Sequence, residues 1–165
     1  MGMIDSMLQE LELETATTRR VLERVPEDKL SWRPHAKSMS LGQLALHLAG
    51  LPHRIPEMAL VDSFEARGFA QAEATSTQQI LDAHDQGVAF AKEKLAAMDD
   101  AFLLKTWSMM RGGQPVFSVP RIGMLRRILL NHSYHHRGQL SVYLRLLDVP
   151  VPSIYGPTAD DNPFA

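Results

Sequence analysis

Two of the seven histidines, His132 and His136, lie four residues apart. On a helix that spacing stacks them one turn apart on one face, roughly 6 Å along the axis. Such a pair offers a divalent ion two ring nitrogens at about 2.0–2.1 Å with little backbone rearrangement. The chain has no cysteine, so thiolate metal sites, disulfides and a cysteine nucleophile are excluded, which leaves His, Asp and Glu as ligand types. Leu125, Ile128 and Leu129 precede the pair and Leu140, Tyr143 and Leu144 follow it on the same side, so both imidazoles point inward. Buried imidazoles need partners: a metal ion, a hydrogen-bond network or ordered water. His47 sits on a second apolar face with Leu44, Leu48 and Leu51 and is the natural third ligand. One divalent ion explains all three together, and three protein ligands with open positions is the ligand count of a catalytic rather than a structural site. His35, His53 and His84 lack a partner at ligand spacing and read as non-ligands. His135 lies about 60° round the helix from His132, on the side away from His136, and reads as a rim residue.

The elements that must position these residues are legible from periodicity. Ile4 to Val25 carries an apolar helical stripe, including Ala16, that ends at Pro26. Pro26 to Met39 reads as a connection with a short turn around Glu27 to Leu30, pinned to the core by Trp32. Ser40 with Gln43 is a capping box ahead of Leu41, Leu44, Leu48 and Leu51. Pro52 and Pro56 predict a kink or break of this helix near His53, and residues 62–75 then read as loop. Ser76 with Gln79 repeats the capping pattern before Ile80, Ala83, Gly87, Phe90, Ala91, Leu95 and Met98. Residues 102–118 flank Arg111-Gly112-Gly113-Gln114 and read as a short hairpin or an irregular crossover. Pro120 suits a first helical turn, and the stripe from Ile122 to Leu147 keeps one face for some seven turns. Residues 149–165 contain four prolines, so the tail leaves the helix and wraps over the surface. The reading is an all-α four-helix bundle, with residues 1–165 as one domain.

Composition removes several function classes. A chain of 165 residues, 45% hydrophobic and 22% charged, builds one full core and lacks the signature of disorder. A formal charge of −2, with basic residues scattered among acids, gives no field for phosphates, so no nucleic-acid partner is expected. No apolar run reaches the roughly 18–20 residues that span a bilayer, and MGMIDSMLQE has neither a basic start nor an apolar core of a signal peptide. The expectation is a cytoplasmic protein without a membrane partner. The sequon Asn131-His132-Ser133 falls inside the longest predicted helix and reads as accidental.

The segments LGQLALHLAG (41–50) and NHSYHHRGQLSVYLRLLDVPVPSIYGP (131–157) resemble the DinB family of metal-binding four-helix bundles. The most specific part is the H-x-x-x-H-R-G-Q-L run with its Y-L-R-L-L helix end and P-V-P-x-x-Y-G-P tail. The resemblance covers most of the chain. It implies a bundle with at least one long connection, a metal site at one end of the core formed by His47, His132 and His136, and a homodimer. It implies zinc or nickel as the ion, with iron or copper as alternatives that three imidazoles also accept. Among family relatives are bacillithiol transferases and mycothiol-dependent isomerases.

The function expected is therefore that of a metal-dependent enzyme in which a low-molecular-weight thiol or water is the nucleophile, the thiol attacking an electrophilic small-molecule substrate. Two alternatives stand beside it: a metal-dependent hydrolase, and a non-catalytic, stress-related protein that binds metal or ligand. Hydrolysis would call for a base near the water, and only Glu57 and the acids near Asp160 offer themselves. Arg137 and Gln139 read as packing, dimer-contact or ligand-orienting residues, and Tyr143 as core packing.

Overall fold

The structure is a computed structural model and describes every residue except Met1, Arg67 and Phe69. The first helix, α1, spans Met3–Leu22 and buries Ile4, Met7, Leu11, Val21 and Leu22. Its core face also contains Thr15 and Thr18, while Ala16 is exposed. Thr15 is accommodated because its hydroxyl donates to the Leu11 carbonyl at 2.7 Å, which satisfies the polar group inside the helix.

A 3-10 turn at Glu27–Lys29 leads to α2, Leu41–Ala59. The capping box forms as expected: the Gln43 amide donates to Ser40 Oγ at 3.1 Å, and the Ser40 amide donates to Gln43 Oε1 at 3.0 Å. Of the kink or break expected near His53, the break does not occur, since α2 stays helical through Pro52 and Pro56. The reason is tertiary. Helix α3, Thr77–Ala96, places Gly87 so close that a Cβ there would lie 3.0 Å from the His53 amide nitrogen and 3.5 Å from Pro52 Cβ. Glycine thus lets α3 seat directly on the proline-bearing turns and hold them.

The all-α expectation is corrected by a small sheet; the fold is mostly helical, at 57%. After α4, Asp100–Leu104, strands β2 (Thr106–Arg111) and β3 (Gln114–Pro120) pair antiparallel. Gly112 and Gly113 close the hairpin with φ of 59° and 74°, the left-handed pair that a two-residue hairpin turn requires. Strand β1, Ser63–Glu65, arises inside the expected loop and pairs parallel with β2, so the order is β1-β2-β3. Trp107 on β2 is fully buried and its indole donates to the Met58 carbonyl at 3.0 Å, docking the sheet on the end of α2. Two connections are accordingly long: residues 60–76 between α2 and α3, and residues 97–120 between α3 and the last helix.

That last helix is one rod in three windings: α5 (Arg121–Met124), a π-helical segment Leu125–Asn131, and α6 (His132–Leu146). Met124, Leu125, Leu129, Leu130, Leu140 and Leu144 are buried along it. Met124, in α5, and Leu130 lie off the uniform stripe expected from the sequence; Leu130 does so inside the π segment, where i→i+5 winding changes the phase. Among the described residues no helix is long and apolar enough to cross a membrane.

Two buried arginines clamp this rod. Arg121, fully buried, pairs with Asp62 at 2.7 Å and donates to the Phe102 carbonyl at 3.0 Å, with its guanidinium 4.0 Å above the Phe102 ring. Arg137, 1% exposed, pairs with Glu14 at 2.6 Å, donates to the Glu14 carbonyl at 3.0 Å and to Thr18 Oγ1 at 3.2 Å, and bonds the Tyr155 hydroxyl of the tail. Val151 and Ser153 are buried, and the tail contacts α1 through Arg20 and Glu14 and the last helix through Arg145. Arg137→Met should leave the Glu14 carboxylate half-buried without its partner and lower unfolding free energy by about 2 kcal/mol or more. Urea denaturation followed by circular dichroism measures this, and a loss below about 0.5 kcal/mol would show that the clamp is dispensable.

Candidate metal centre

Helix α2 carries His47 on the face it turns toward α6, and α6 carries His132 and His136 one turn apart. The structure brings these three together as expected. His132 Nε2 lies 3.0 Å from His47 Nε2 and 2.7 Å from His136 Nε2. The ring centroids are 4.4 to 5.3 Å apart, and one nitrogen of each falls within 4.8 Å of the others, so the group can hold one metal ion. His47 and His136 are each 8% exposed.

Hydrogen bonds among the described residues do not satisfy this cluster. A ring nitrogen carries either one proton or one lone pair, yet His132 Nε2 makes two short contacts with other ring nitrogens. One N–H serves one of them only. His47 Nδ1 is buried and has no hydrogen-bond partner among the described residues. At the other end of the triad Gln139 Oε1 lies 2.7 Å from His136 Nδ1. With that nitrogen as donor, the lone pair of His136 is on Nε2 and faces the other two rings, the arrangement in which an imidazole is oriented as a ligand. Three convergent ring nitrogens of neutral imidazoles suit a cation better than one another.

The electrostatics keep these rings neutral. Burial, reinforced by the neighbouring imidazoles and Arg54, pushes His47 and His132 down to about 4. Burial also lowers His136, against the opposing hydrogen bond of Gln139. Deprotonated imidazole is the form that ligates a metal at neutral pH.

The triad opens onto a cavity of about 240 Å³ walled by Leu51, Ile55 and Met58 of α2, Ile128 of the π segment and Met109 of β2. Arg54, Met39 and Gln71 complete its described lining. Periodicity alone could have suggested Arg54, two turns beyond His47 on α2; Met109 and Gln71 arrive through the sheet and the long connection, which carry no local signal. The other expectations resolve individually. His135 is exposed beside the His136 ring at 4.9 Å and outside the triad. His84 is buried on α3 against Asp85, and His53 stacks on Phe90 at 4.2 Å. Tyr143 packs edge-on against Trp32 and donates to the Met39 carbonyl. Glu57 is exposed and lies outside the cavity lining, and Asp160 is paired with Arg145 in the tail.

A mostly helical fold that converges three imidazoles on one point beside an apolar cavity defines a class of proteins equipped to bind a metal ion in a helical core. Comparison gives the class a name. A sequence model of the DinB family matches residues 1–162, and the chain belongs to that family. It is 26% identical over 159 residues to YrdA of Bacillus subtilis, an uncharacterized protein, covering 96% of this chain and 91% of YrdA. The crystal structure of a DinB-like protein from Bacillus cereus superposes with a TM-score of 0.74 at 24% identity, covering 92% of this chain and 97% of that one. The structure of a putative DinB-family member from Exiguobacterium sibiricum gives 0.62 at 24% identity, with 97% and 98% covered. These two likenesses bear on the fold.

Because His47 and His132 titrate near 4 in the folded chain and near 6.5 when unfolded, the unfolded chain binds more protons in between. Metal-free protein should be fully stable with respect to these groups above about pH 6.5 and lose that stability as the pH falls toward 4. The urea midpoint across this range, compared between wild type and His132→Gln, isolates the effect, and identical slopes would contradict it.

Proposed function

We propose that His47, His132 and His136 hold one divalent metal ion, zinc or nickel in the first instance, and that the protein is a metal-dependent enzyme using a low-molecular-weight thiol as nucleophile. The observation that carries this reading is the convergence of three neutral Nε2 atoms that cannot satisfy one another, at the wall of a cavity large enough for a small ligand. When bound, an ion held by three uncharged ligands supplies an uncompensated positive charge that acidifies a thiol or a water. The chain's own part is to keep the imidazoles unprotonated by burial, to orient His136 through Gln139, and to present an apolar wall that excludes bulk water from the reacting groups. With no cysteine in the chain, the thiol is a cosubstrate. Its sulfur bonds to an electrophilic carbon as the leaving group departs with the bonding electrons.

Water as nucleophile is the second reading. It would gain from a general base, whereas the described residues lining the cavity include no carboxylate. A thiol is intrinsically far more acidic than water and loses its proton to solvent without such a base, which is why it is preferred.

Elemental analysis of untagged protein should find about one metal ion per chain. His136→Ala should lose it while the far-ultraviolet circular dichroism stays helical; stoichiometric metal in that variant would overturn the three-histidine site. Gln139→Leu should retain the fold and bind the ion at least about tenfold more weakly, the scale expected when the partner that orients a ligating imidazole is removed. Competition against a chromogenic chelator reads this directly, and unchanged affinity would reduce Gln139 to a packing role.

A further inference from the structure

Arg54 is the one permanently charged side chain among the described residues lining the cavity. It stands on α2 seven residues beyond His47 and so shares its face. Its guanidinium folds back along the helix toward His47's end: a Cβ at Gly50, one turn before it, would lie 3.2 Å from Arg54 Nη2. The bare backbone at Gly50 is what leaves space for the head group in this position. Five other arginines, Arg19, Arg121, Arg126, Arg137 and Arg145, are held in ion pairs. Arg54 has no such partner among the described residues and is half-buried, so its five donors are available to a ligand.

Opposite chemistry lines the rest of the space. Leu51, Ile55, Met58, Met109 and Ile128 form continuous apolar wall, and two of the five are methionines, whose unbranched side chains adapt to varied shapes. A cavity whose walls are mostly apolar, with one permanently charged group beside the neutral imidazoles and Gln71, orients an ionic ligand chiefly through that charged group. A guanidinium matches a planar oxyanion with two parallel hydrogen bonds.

We infer that the ligand of this cavity is a small amphiphilic anion, its carboxylate-type head on Arg54 beside the imidazole triad and its hydrocarbon body against the apolar wall. This rests on reading the cavity as the ligand site of the protein, and it requires no metal for the ligand to bind. It makes the substrate or cosubstrate of the proposed enzyme an acid rather than a neutral electrophile or an amine.

Isothermal titration of the full chain with hexanoate, 1-hexanol, hexylammonium and acetate, in metal-free and metal-reconstituted protein, tests it. Hexanoate should bind metal-free protein at least about tenfold more tightly than hexanol or acetate, the worth of a charge-assisted pair and of the apolar wall respectively, and hexylammonium should not bind. Arg54→Met should abolish the preference of hexanoate over hexanol, and Arg54→Lys, which keeps the charge but not the fork, should retain part of it. Equal affinity for hexanoate and hexanol, no binding of hexanoate, or an unchanged preference in Arg54→Met would each overturn the inference. The metal reading fails separately, by elemental analysis, since the titration of metal-free protein is independent of it.

Discussion

The buried contact of Arg137 with Glu14 sets the geometry on which the rest of the site depends. Adjacent residues on an α-helix point about 100° apart. Fixing Arg137 against α1, through both the carboxylate and the carbonyl of Glu14, therefore turns His136 toward α2 and the cavity. Such a pair gives little net stability, because removing two charges from water offsets most of their attraction. Its value is positional: few other contacts specify the rotation of a helix about its own axis as narrowly as a forked cation with several fixed acceptors. Tyr155 closes the same cluster from the tail, so the C-terminal segment participates in aiming a side chain it does not touch.

The second constraint is the desolvation of three imidazoles at one place. Each ring loses its protonated form to burial, and each ring's neighbours deepen that loss. The fold accommodates this through division of labour. Helix α1 and the tail hold α6 in phase, α3 packs against the two proline-bearing turns of α2, and the sheet closes the cavity through Met109 while Trp107 anchors it to α2. Polar side chains around the triad are few: Gln139 behind it, and Arg54 and Gln71 at the cavity.

What the sequence discloses and what it hides follow one rule. The triad is legible because His132 and His136 interrupt an apolar stripe at ligand spacing and His47 interrupts another, and interruptions of a periodic pattern stand out. The caps at Ser40 and Ser76 are legible because they are local. The three-residue strand β1 is not, since Ser63, Phe64 and Glu65 become a strand only by pairing with residues 108–110, a non-local event. The unbroken course of α2 is hidden for the same reason, its packing partner being Gly87 on a different helix. Arg54 is half legible: its spacing from His47 puts it on the same face of α2, but a lone arginine on a helix reads as solvated until its neighbours are known to be apolar. Thr15, Thr18 and Arg137 are polar residues in buried positions, and only their partners in space explain them.

The π-helical segment Leu125–Asn131 ends where His132 begins, and this bears on how the chain is compared with its relatives. Wider winding takes more residues to complete a turn, so the segment stores surplus chain without lengthening the rod in proportion. The apolar stripe before Asn131 and the histidine pair after it are therefore two independent registers. A relative whose last helix is α-helical throughout would match this one with an offset inside residues 125–131, and an ungapped pairing anchored on Leu125 would set its first ligand against Asn131 instead of His132. The histidines, and not the leucines upstream, are the fixed point from which that helix should be numbered.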